Sequence, residues 1–126
     1  MKKKQIQTTQ APSAIGPYSQ AIRVGEFLYT SGQIALNPEN MEMMNGSIEV
    51  ETECVFKNLE AILKADGMSL AHIIKTTVYL TNLKEFARMN QVYEKFFGET
   101  KPARACVEVS ELPKGAKLEI DAIAHS

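Results

Sequence analysis

The sequence predicts an α+β fold in which two helices cover one face of an antiparallel or mixed β-sheet. Two long segments, residues 48–66 and 83–97, carry apolar residues at helical spacing. Short β-branched or alternating segments lie before, between and after them. Two of the short segments flank a tight turn at Gly25-Glu26, which is typical of a hairpin. The predicted element order is therefore β-β-β-α-β-α-β-β.

Length and composition are those of an ordinary globular protein, predicted as a single domain spanning residues 1–126. Hydrophobic residues make up 44% of the chain and charged residues 23%. The formal net charge of -1 disfavours a nucleic-acid-binding protein that relies on neutralising phosphates. Neither a membrane-spanning apolar run nor a signal peptide is recognisable, so we expect no membrane partner and a reducing, cytoplasmic location.

The N-terminal third alternates predicted strands with turn-forming segments. Lys2, Lys3 and Lys4 are expected to form a solvated tail. "APSAIGPYSQ", residues 11–20, contains two prolines and a glycine, and this density favours a shaped loop over a strand. The hairpin "AIRVGEFLYTSGQI" follows it. Residues 37–46 are predicted to be a loop whose methionines are partly exposed or fill gaps in the packing.

The first predicted helix has a single apolar stripe formed by Val55, Leu59, Ile62 and Leu63, and Gly67 is a plausible C-terminal stop. The second helix has a wider apolar face, made of Phe86, Met89, Val92, Tyr93, Phe96 and Phe97. The predicted strands are residues 6–8, 21–24, 27–34, 73–80, 103–109 and 117–124.

Alternation along the strands predicts two sheet faces of different character. We expect the helix-covered face to carry Leu28, Thr30, Val78, Leu80, Val107, Val109, Leu118 and Ile120. The other face mixes charged, polar and apolar side chains, which is typical of neither a core nor an ordinary solvent-exposed surface. It therefore predicts a homo-oligomer with sites at the boundaries between subunits. Its members are Tyr29, Ser31, Gln33, Lys75, Thr77, Tyr79, Arg104, Cys106, Glu108, Glu119, Asp121 and Ile123.

Arg104, Cys106 and Glu119 are the candidate catalytic residues. A guanidinium on a strand that follows Pro102 is preorganised to bind a carboxylate, although an ion pair with Glu108 or Glu119 is an alternative. Glu119 can act as a general base toward water or serve in an ion pair. Cys106 has no histidine at an obvious partnering position, so a packing role competes with a nucleophilic one.

Four further residues are candidates for substrate binding: Tyr18, Ser31, Gly32 and Asn90. Tyr18 could cover a pocket or anchor the proline loop, and Gly32 could admit a ligand or form a bulge. Ser31 lacks the Gly-x-Ser-x-Gly context of a hydrolase nucleophile, and Asn90 is either exposed or directed at a ligand. The two cysteines and two histidines are too few and too dispersed for a metal site, so we expect none.

Several stretches resemble the signatures of the reactive intermediate deaminase family, also called the Rid or YjgF/YER057c/UK114 family. They are "IGPYSQA", "SGQI" and "KPARACVEVSELPKGAKLEIDAIA", at residues 15–21, 31–34 and 101–124. "VFKNLEAILKADG" and "KTTVYLTNLKEFARMNQVYEKFF" also match in pattern, so the resemblance covers nearly the whole chain in one register. "NMEMMN", residues 40–45, departs from it, because relatives more often have a Thr-Gly turn there.

The resemblance implies a chorismate-mutase-like fold and a homotrimer with three clefts between its subunits. It also implies cofactor-independent hydrolysis of 2-imino acids, such as 2-iminobutanoate and 2-iminopropanoate, to 2-oxo acids and ammonia. In that reaction Arg104 would hold the substrate carboxylate, Glu119 would polarise the attacking water, and Cys106 would border that water. The implied substrate-binding positions are Tyr18, Ser31, Gly32, Asn90 and Arg104.

Two other functions remain open at this point. A non-catalytic regulatory protein could use the same arginine-lined cleft to bind a small carboxylate or a 2-oxo acid. A nuclease or translation inhibitor is disfavoured by the near-neutral charge and by the lack of interleaved aromatic and basic residues.

Overall fold

The structure, a computed structural model, describes residues 2–126. These residues form six strands, two α-helices and three single-turn 3-10 segments, in the predicted order β-β-β-α-β-α-β-β. The strands are β1 (Lys3–Ile6), β2 (Ala21–Val24), β3 (Phe27–Thr30), β4 (Ile73–Leu80), β5 (Ala103–Glu108) and β6 (Leu118–His125). The helices are α1 (Ile48–Ala65) and α2 (Phe86–Phe97), and the 3-10 segments are Leu70–His72, Leu83–Glu85 and Pro113–Gly115.

All six strands belong to one mixed sheet with the order β1-β2-β3-β6-β4-β5. Neighbouring strands are antiparallel except β4 and β5, which are parallel. β4 therefore lies between the two strands that carry the candidate catalytic residues. Thr76 of β4 pairs with Arg104 of β5, and Tyr79 of β4 pairs with Glu119 of β6.

Both helices pack on one face of the sheet, as predicted. α1 begins after Ser47, whose hydroxyl accepts a hydrogen bond from the Val50 amide at 3.2 Å. The Phe56 ring of α1 contacts three aromatic rings of α2, with centroid distances of 5.0–5.5 Å. The core between helices and sheet consists of fully buried residues that include Leu28, Ile48, Val55, Leu59, Ile62, Leu63, Val78, Leu80, Met89, Leu118 and Ile120.

The predicted N-terminal strand is displaced. β1 covers Lys3–Ile6 rather than residues 6–8, so Lys3 and Lys4 belong to a strand and not to a tail. Ile6 is the buried residue of β1, and the others are exposed. Lysines on an edge strand discourage pairing with a further strand, which explains how a charge run can occupy this position.

β3 is shorter than predicted, because it ends at Thr30 and, of residues 31–34, only Gln33 forms a further β-bridge, with Ile120. From Tyr29 to Gln33 the chain advances four residues, whereas its partner advances three from Ile123 to Ile120. The extra residue reverses the alternation of side chains. Gln33 is therefore buried on the side of Ile120, and its predicted place on the open face is wrong.

The predicted facing of β5 is also wrong. Arg104 lies beside Thr76 and Cys106 beside Val78, and both β4 residues are fully buried under the helices. Paired residues of parallel strands point to the same face, so Arg104 and Cys106 lie on the helix-covered side. Val107, predicted to be in the core, is 44% exposed on the open face. Small apolar residues of an edge strand thus line an uncovered surface in the single chain.

One carboxylate is buried in the core. Glu51 of α1 is 1% exposed, and its Oε1 accepts a hydrogen bond from the Lys117 amide at 2.9 Å. Burial raises the pKa of Glu51, and the hydrogen bond from Lys117 opposes that rise. The folded chain therefore holds the Glu51 proton more tightly than the unfolded chain, and stability falls as the pH rises through the interval between the two pKa values.

We expect the stability of Glu51→Gln, relative to that of the wild type, to increase as the pH rises. The glutamine amide cannot ionise, whereas the wild-type carboxyl group can. Urea unfolding at about pH 4 and about pH 8 measures this change as a difference in the free energy of unfolding. Glu51→Ala is the control, since it removes the titrating group and also the acceptor for the Lys117 amide, and it should be about 1–3 kcal/mol less stable than Glu51→Gln at both pH values. A Glu51→Gln effect that does not change with pH would contradict the assignment.

Candidate functional site

The Arg104 guanidinium is held by three side chains of α2. Its Cζ lies 4.7 Å from the centroid of the Tyr93 ring and 5.2 Å from that of Phe86. Its Nη1 donates a hydrogen bond to Asn90 Oδ1 at 2.7 Å. Phe86, Asn90 and Tyr93 are spaced at i, i+4 and i+7, so one face of α2 presents all three.

Among residues 2–126, Arg104 has no carboxylate partner. No ion pair within 4.0 Å joins it to an acidic residue of the described chain, so the alternative of a structural ion pair with Glu108 or Glu119 is wrong. Glu108 instead accepts a hydrogen bond from the Leu83 amide at 2.9 Å. Arg104 is exposed and borders a groove of about 450 Å³ together with Asn90 and Tyr93. Its remaining N–H groups are therefore available to a ligand.

A buried hydroxyl pair supports the ring beneath Arg104. Tyr93 Oη and Thr76 Oγ1 lie 2.8 Å apart, and both residues are buried. Burial raises the pKa of Tyr93, so the phenol is neutral. Tyr93 was predicted only as part of the apolar face of a helix, and its contact with Thr76 was not predicted. The available signal was the hydroxyl itself, because a buried phenol requires a hydrogen-bond partner.

Glu119 and Gly32 are in close contact on the other side of the sheet. A Cβ atom at position 32 would collide with Glu119 Oε2. The Gly32 φ is not left-handed, so the position needs glycine for space rather than for backbone conformation. The close approach foreseen at Gly32 is thus made by a carboxylate of the chain itself.

The environment of Glu119 disfavours its charged form. Burial raises the pKa of Glu119, and the nearby negative charge of Asp121 raises it further. Asp121 lies on the same face of β6 and accepts a hydrogen bond from Tyr79 Oη at 3.4 Å. Burial also raises the pKa of Asp121. A carboxylate with a raised pKa is better suited to exchanging protons with water near neutral pH than a fully solvated one.

Ser31 and Tyr18 are connected through the proline loop. Ser31 Oγ donates a hydrogen bond to the Ser19 carbonyl at 2.5 Å, and the Ser31 amide donates to Gln20 O at 2.9 Å. Ser31 thus fixes the end of the loop and is not a free nucleophile. Tyr18, one residue before this attachment, is 53% exposed, which suits the predicted role of covering a pocket.

Gln20 is a structural residue of the loop that sequence reasoning missed. It is buried, and its Oε1 accepts a hydrogen bond from the Thr8 amide at 2.7 Å. Its Nε2 lies within 3.3 Å of three backbone carbonyl oxygens, those of Thr8, Ala11 and Pro12. A polar residue directly before an apolar strand was the only sign of it in the sequence.

Cys106 is a half-buried thiol that packs against the core. Burial raises its pKa, and the Arg104 charge lowers that pKa by less. The neutral thiol is therefore favoured, which supports packing over nucleophilic attack. Cys54 likewise packs against the core, and burial raises its pKa.

Within one chain, the candidate catalytic residues lie on opposite faces of the sheet. Arg104 is beside Thr76 and Glu119 is opposite Tyr79, and these two β4 residues are three positions apart. Residues an odd number apart on a strand point to opposite faces. The prediction that Arg104 and Glu119 share one face is therefore wrong, because the register of β5 pairs Arg104 with the buried Thr76 and so directs it toward the helices. Arg104, Asn90 and Cys106 form one half of the site, and Glu119 and Gly32 form the other.

No group of three or more histidine, cysteine or acidic side chains is placed to hold a metal ion within residues 2–126. Neither helix of the described chain has the length and apolar character needed to cross a bilayer.

Comparison with known proteins identifies similar chains over the full length. The family model described as endoribonuclease L-PSP matches residues 8–126. The mouse protein named 2-iminobutanoate/2-iminopropanoate deaminase is 43% identical over 122 residues, which are 97% of this chain and 90% of the mouse protein. Similar solved structures include the Rid family protein YyfA of Yersinia pestis, at 46% identity and a TM-score of 0.97, with 99% of this chain and 100% of that one covered. Escherichia coli TdcF with bound serine has 44% identity and a TM-score of 0.93, with 98% of each chain covered.

The contact between Gly32 and Glu119 predicts that substitutions at these two positions have strongly non-additive effects on the free energy of unfolding. We expect Gly32→Ala to lower the free energy of unfolding by about 1–3 kcal/mol, because the new methyl group displaces the carboxylate. In a Glu119→Ala background the same change should cost much less, since the colliding atoms are gone. Urea unfolding of the two single variants and the double variant measures the coupling. Additive effects would show that the collision at position 32 is not the reason for the glycine.

Proposed function

Because the chain belongs to the Rid/YjgF family, we propose that it hydrolyses 2-imino acids to 2-oxo acids and ammonia. The observation that carries this proposal is Arg104, an exposed guanidinium that Asn90, Tyr93 and Phe86 hold and that pairs with no carboxylate of the described residues. A small organic acid supplies the missing anion. The activity named for the mouse relative supports the same reaction, with 2-iminobutanoate and 2-iminopropanoate as the substrates.

Substrate binding relies on Arg104. Its guanidinium forms two parallel hydrogen bonds to the substrate carboxylate, which orients the adjacent C=N group. Asn90 already holds Nη1, so the guanidinium need not reorganise when the ligand arrives. The bound serine described for the Escherichia coli protein supports a ligand of this size with an α-carboxylate. Tyr18 closes the site from its rim.

Hydrolysis uses a water molecule activated by Glu119. The ionised carboxylate takes a proton from water while the water oxygen bonds to the iminium carbon, which gives a tetrahedral carbinolamine. Glu119 returns that proton to the nitrogen. The resulting carboxylate then takes the hydroxyl proton of the carbinolamine, so the C–N bond breaks, the carbonyl forms and ammonia leaves. The raised pKa of Glu119 suits a group that accepts and then returns a proton. The iminium carbon is already electrophilic, so the proposed steps use no cofactor, and Cys106 only borders the water.

The two halves of the site meet between subunits of a homotrimer in this proposal. Arg104 and Glu119 lie on opposite faces of one sheet, so a site using both needs Arg104 of one protomer and Glu119 of another. The uncovered sheet face supports such an assembly, because Phe27, Tyr29 and Val107 expose between 39% and 46% of their surfaces. Cyclic symmetry of three chains then produces three equivalent clefts.

A second candidate is a regulatory protein that binds a small carboxylate without turnover. It is favoured by the fact that the anion-binding half, Arg104 with Asn90, is complete in one chain, whereas Glu119 is distant from it. A Glu119→Gln variant distinguishes the two functions. If the protein is an enzyme, this variant should still bind a 2-oxo acid but lose hydrolysis. A wild-type protein that binds 2-oxobutanoate without accelerating loss of the imine is the regulator.

We expect Arg104→Ala to reduce kcat/KM for 2-iminobutanoate by at least about 100-fold, because the substrate loses its anchoring charge. The imine is generated by an amino-acid oxidase or a dehydratase, and its loss is followed with a trapping reagent. Arg88→Ala is the matched control, since this exposed arginine of α2 pairs with Glu49 on the outer helical surface. Wild-type rates in Arg104→Ala, or a comparable loss in Arg88→Ala, would contradict the proposed role.

The division of the site between protomers predicts complementation between two inactive variants. Arg104→Ala and Glu119→Gln chains are unfolded together and refolded as a mixture. Random mixing should restore about a quarter of the wild-type sites, because a working cleft needs Arg104 from one variant and Glu119 from the other. Light scattering checks that trimers form.

The control for complementation is the Arg104→Ala, Glu119→Gln double variant mixed with itself, which should remain inactive. A mixture of the single variants that stays inactive as a trimer would place both residues in one protomer's site. A monomer at micromolar concentration would refute the assembly itself.

A further inference from the structure

We propose that Tyr93 is a positioning residue that fixes the orientation of the Arg104 guanidinium, with Phe86 as the second wall of an aromatic seat. The anion bound by Arg104 is taken from the proposed function, so the inference rests on that function for its substrate. The seat itself depends only on contacts within one chain. Its elements are a stacked cation, a hydrogen bond at one edge of that cation, and a hydroxyl pair that locks the ring.

The cation is constrained from two directions. The faces of the Tyr93 and Phe86 rings attract it, with Cζ at 4.7 Å and 5.2 Å from the centroids. Asn90 Oδ1 accepts from Nη1 at 2.7 Å, which sets the rotation of the guanidinium plane. The edge that carries Nε and Nη2 is left for an incoming carboxylate, and a planar guanidinium offers two parallel donors there.

The ring of Tyr93 is itself locked. Its hydroxyl lies 2.8 Å from Thr76 Oγ1, and Thr76 is the residue of β4 directly beside Arg104 of β5. One pair of neighbouring strand residues therefore positions both the backbone of Arg104 and the ring beneath its side chain. The exposed fraction of Tyr93 is 8%, so the ring has little room to move away. This chain of contacts, Thr76 to Tyr93 to Arg104, gives an exposed arginine one defined orientation.

Preorganisation of Arg104 lowers the cost of binding without taking part in bond formation. Removing the ring should therefore raise KM much more than it changes kcat, because the interaction is the same in the ground state and the transition state. Tyr93→Leu should raise KM for 2-iminobutanoate, and the Kd for 2-oxobutanoate, by about 3- to 10-fold. Tyr93→Phe keeps the ring over Arg104 but loses the Thr76 contact, so both constants should lie between those of the wild type and those of Tyr93→Leu.

Phe96→Leu is the matched control for loss of an aromatic ring from α2. Phe96 stacks on Phe56 at 5.0 Å on the core side of the helix and does not lie over Arg104. It should lower stability while leaving KM and Kd unchanged. Equal effects of Tyr93→Leu and Phe96→Leu on both constants would overturn the proposal, because they would show a general packing effect.

A spectroscopic measurement tests the seat without reference to catalysis. The Nε–H proton of Arg104, assigned by its absence in Arg104→Lys, should be shifted upfield by the ring currents of Tyr93 and Phe86. That shift should shrink in Tyr93→Leu and persist in Tyr93→Phe and Phe96→Leu. An unshifted proton in the wild type would overturn the seat. Weaker 2-oxobutanoate binding by Tyr93→Leu, with no imine hydrolysis by the wild type, would support the seat and refute the proposed enzyme.

Discussion

The pairing of β4 with β5 on one side and β6 on the other is the constraint on which the candidate site depends. The parallel register of β4 with β5 directs Arg104 toward α2. The antiparallel register of β4 with β6 directs Glu119 away from the helices. A shift of either register by one residue would exchange the two faces. Each half of the site is therefore as well ordered as the strand ladder that carries it. The contacts of Arg104 with α2 and of Glu119 with Gly32 follow from this arrangement.

Elements with a strong local pattern were predictable from the sequence. The predicted helix at residues 48–66 corresponds to α1, and residues 73–80 correspond to β4, because each buries a regular set of apolar side chains. The hairpin turn at Gly25-Glu26 was predicted from its turn residues. The face of β5 was not predictable, since Ala103, Ala105 and Val107 have the pattern of a core strand. An apolar face at a sheet edge can contact helices or another molecule, and a single sequence does not distinguish the two.

The sequence indicated which residues belong to the site, but not which of them lie close together. Three site residues are recognisable in the sequence because they are polar residues within apolar elements: Arg104, Asn90 and Glu119. Their contacts depend on long-range packing, so the Arg104–Asn90 bond and the support from Tyr93 could not be derived from spacing alone. The bulge after β3 shows the same limit, because one extra residue reverses every inference from alternation beyond it. Family resemblance indicates which residues belong together, but not the face on which each lies.

The hydrogen bonds of Gln20 have a consequence for how loops of this architecture can vary. Its side chain binds both backbone groups of Thr8 and reaches the carbonyls of Ala11 and Pro12, so one amide replaces a missing strand partner for residues 8–12. Insertions or deletions within those residues would leave buried peptide groups unsatisfied. The stretch from Ser13 to Pro17 has no such attachment to Gln20. Changes of length should therefore accumulate in that second stretch, where the chain can reshape the approach to Tyr18 without disturbing the sheet.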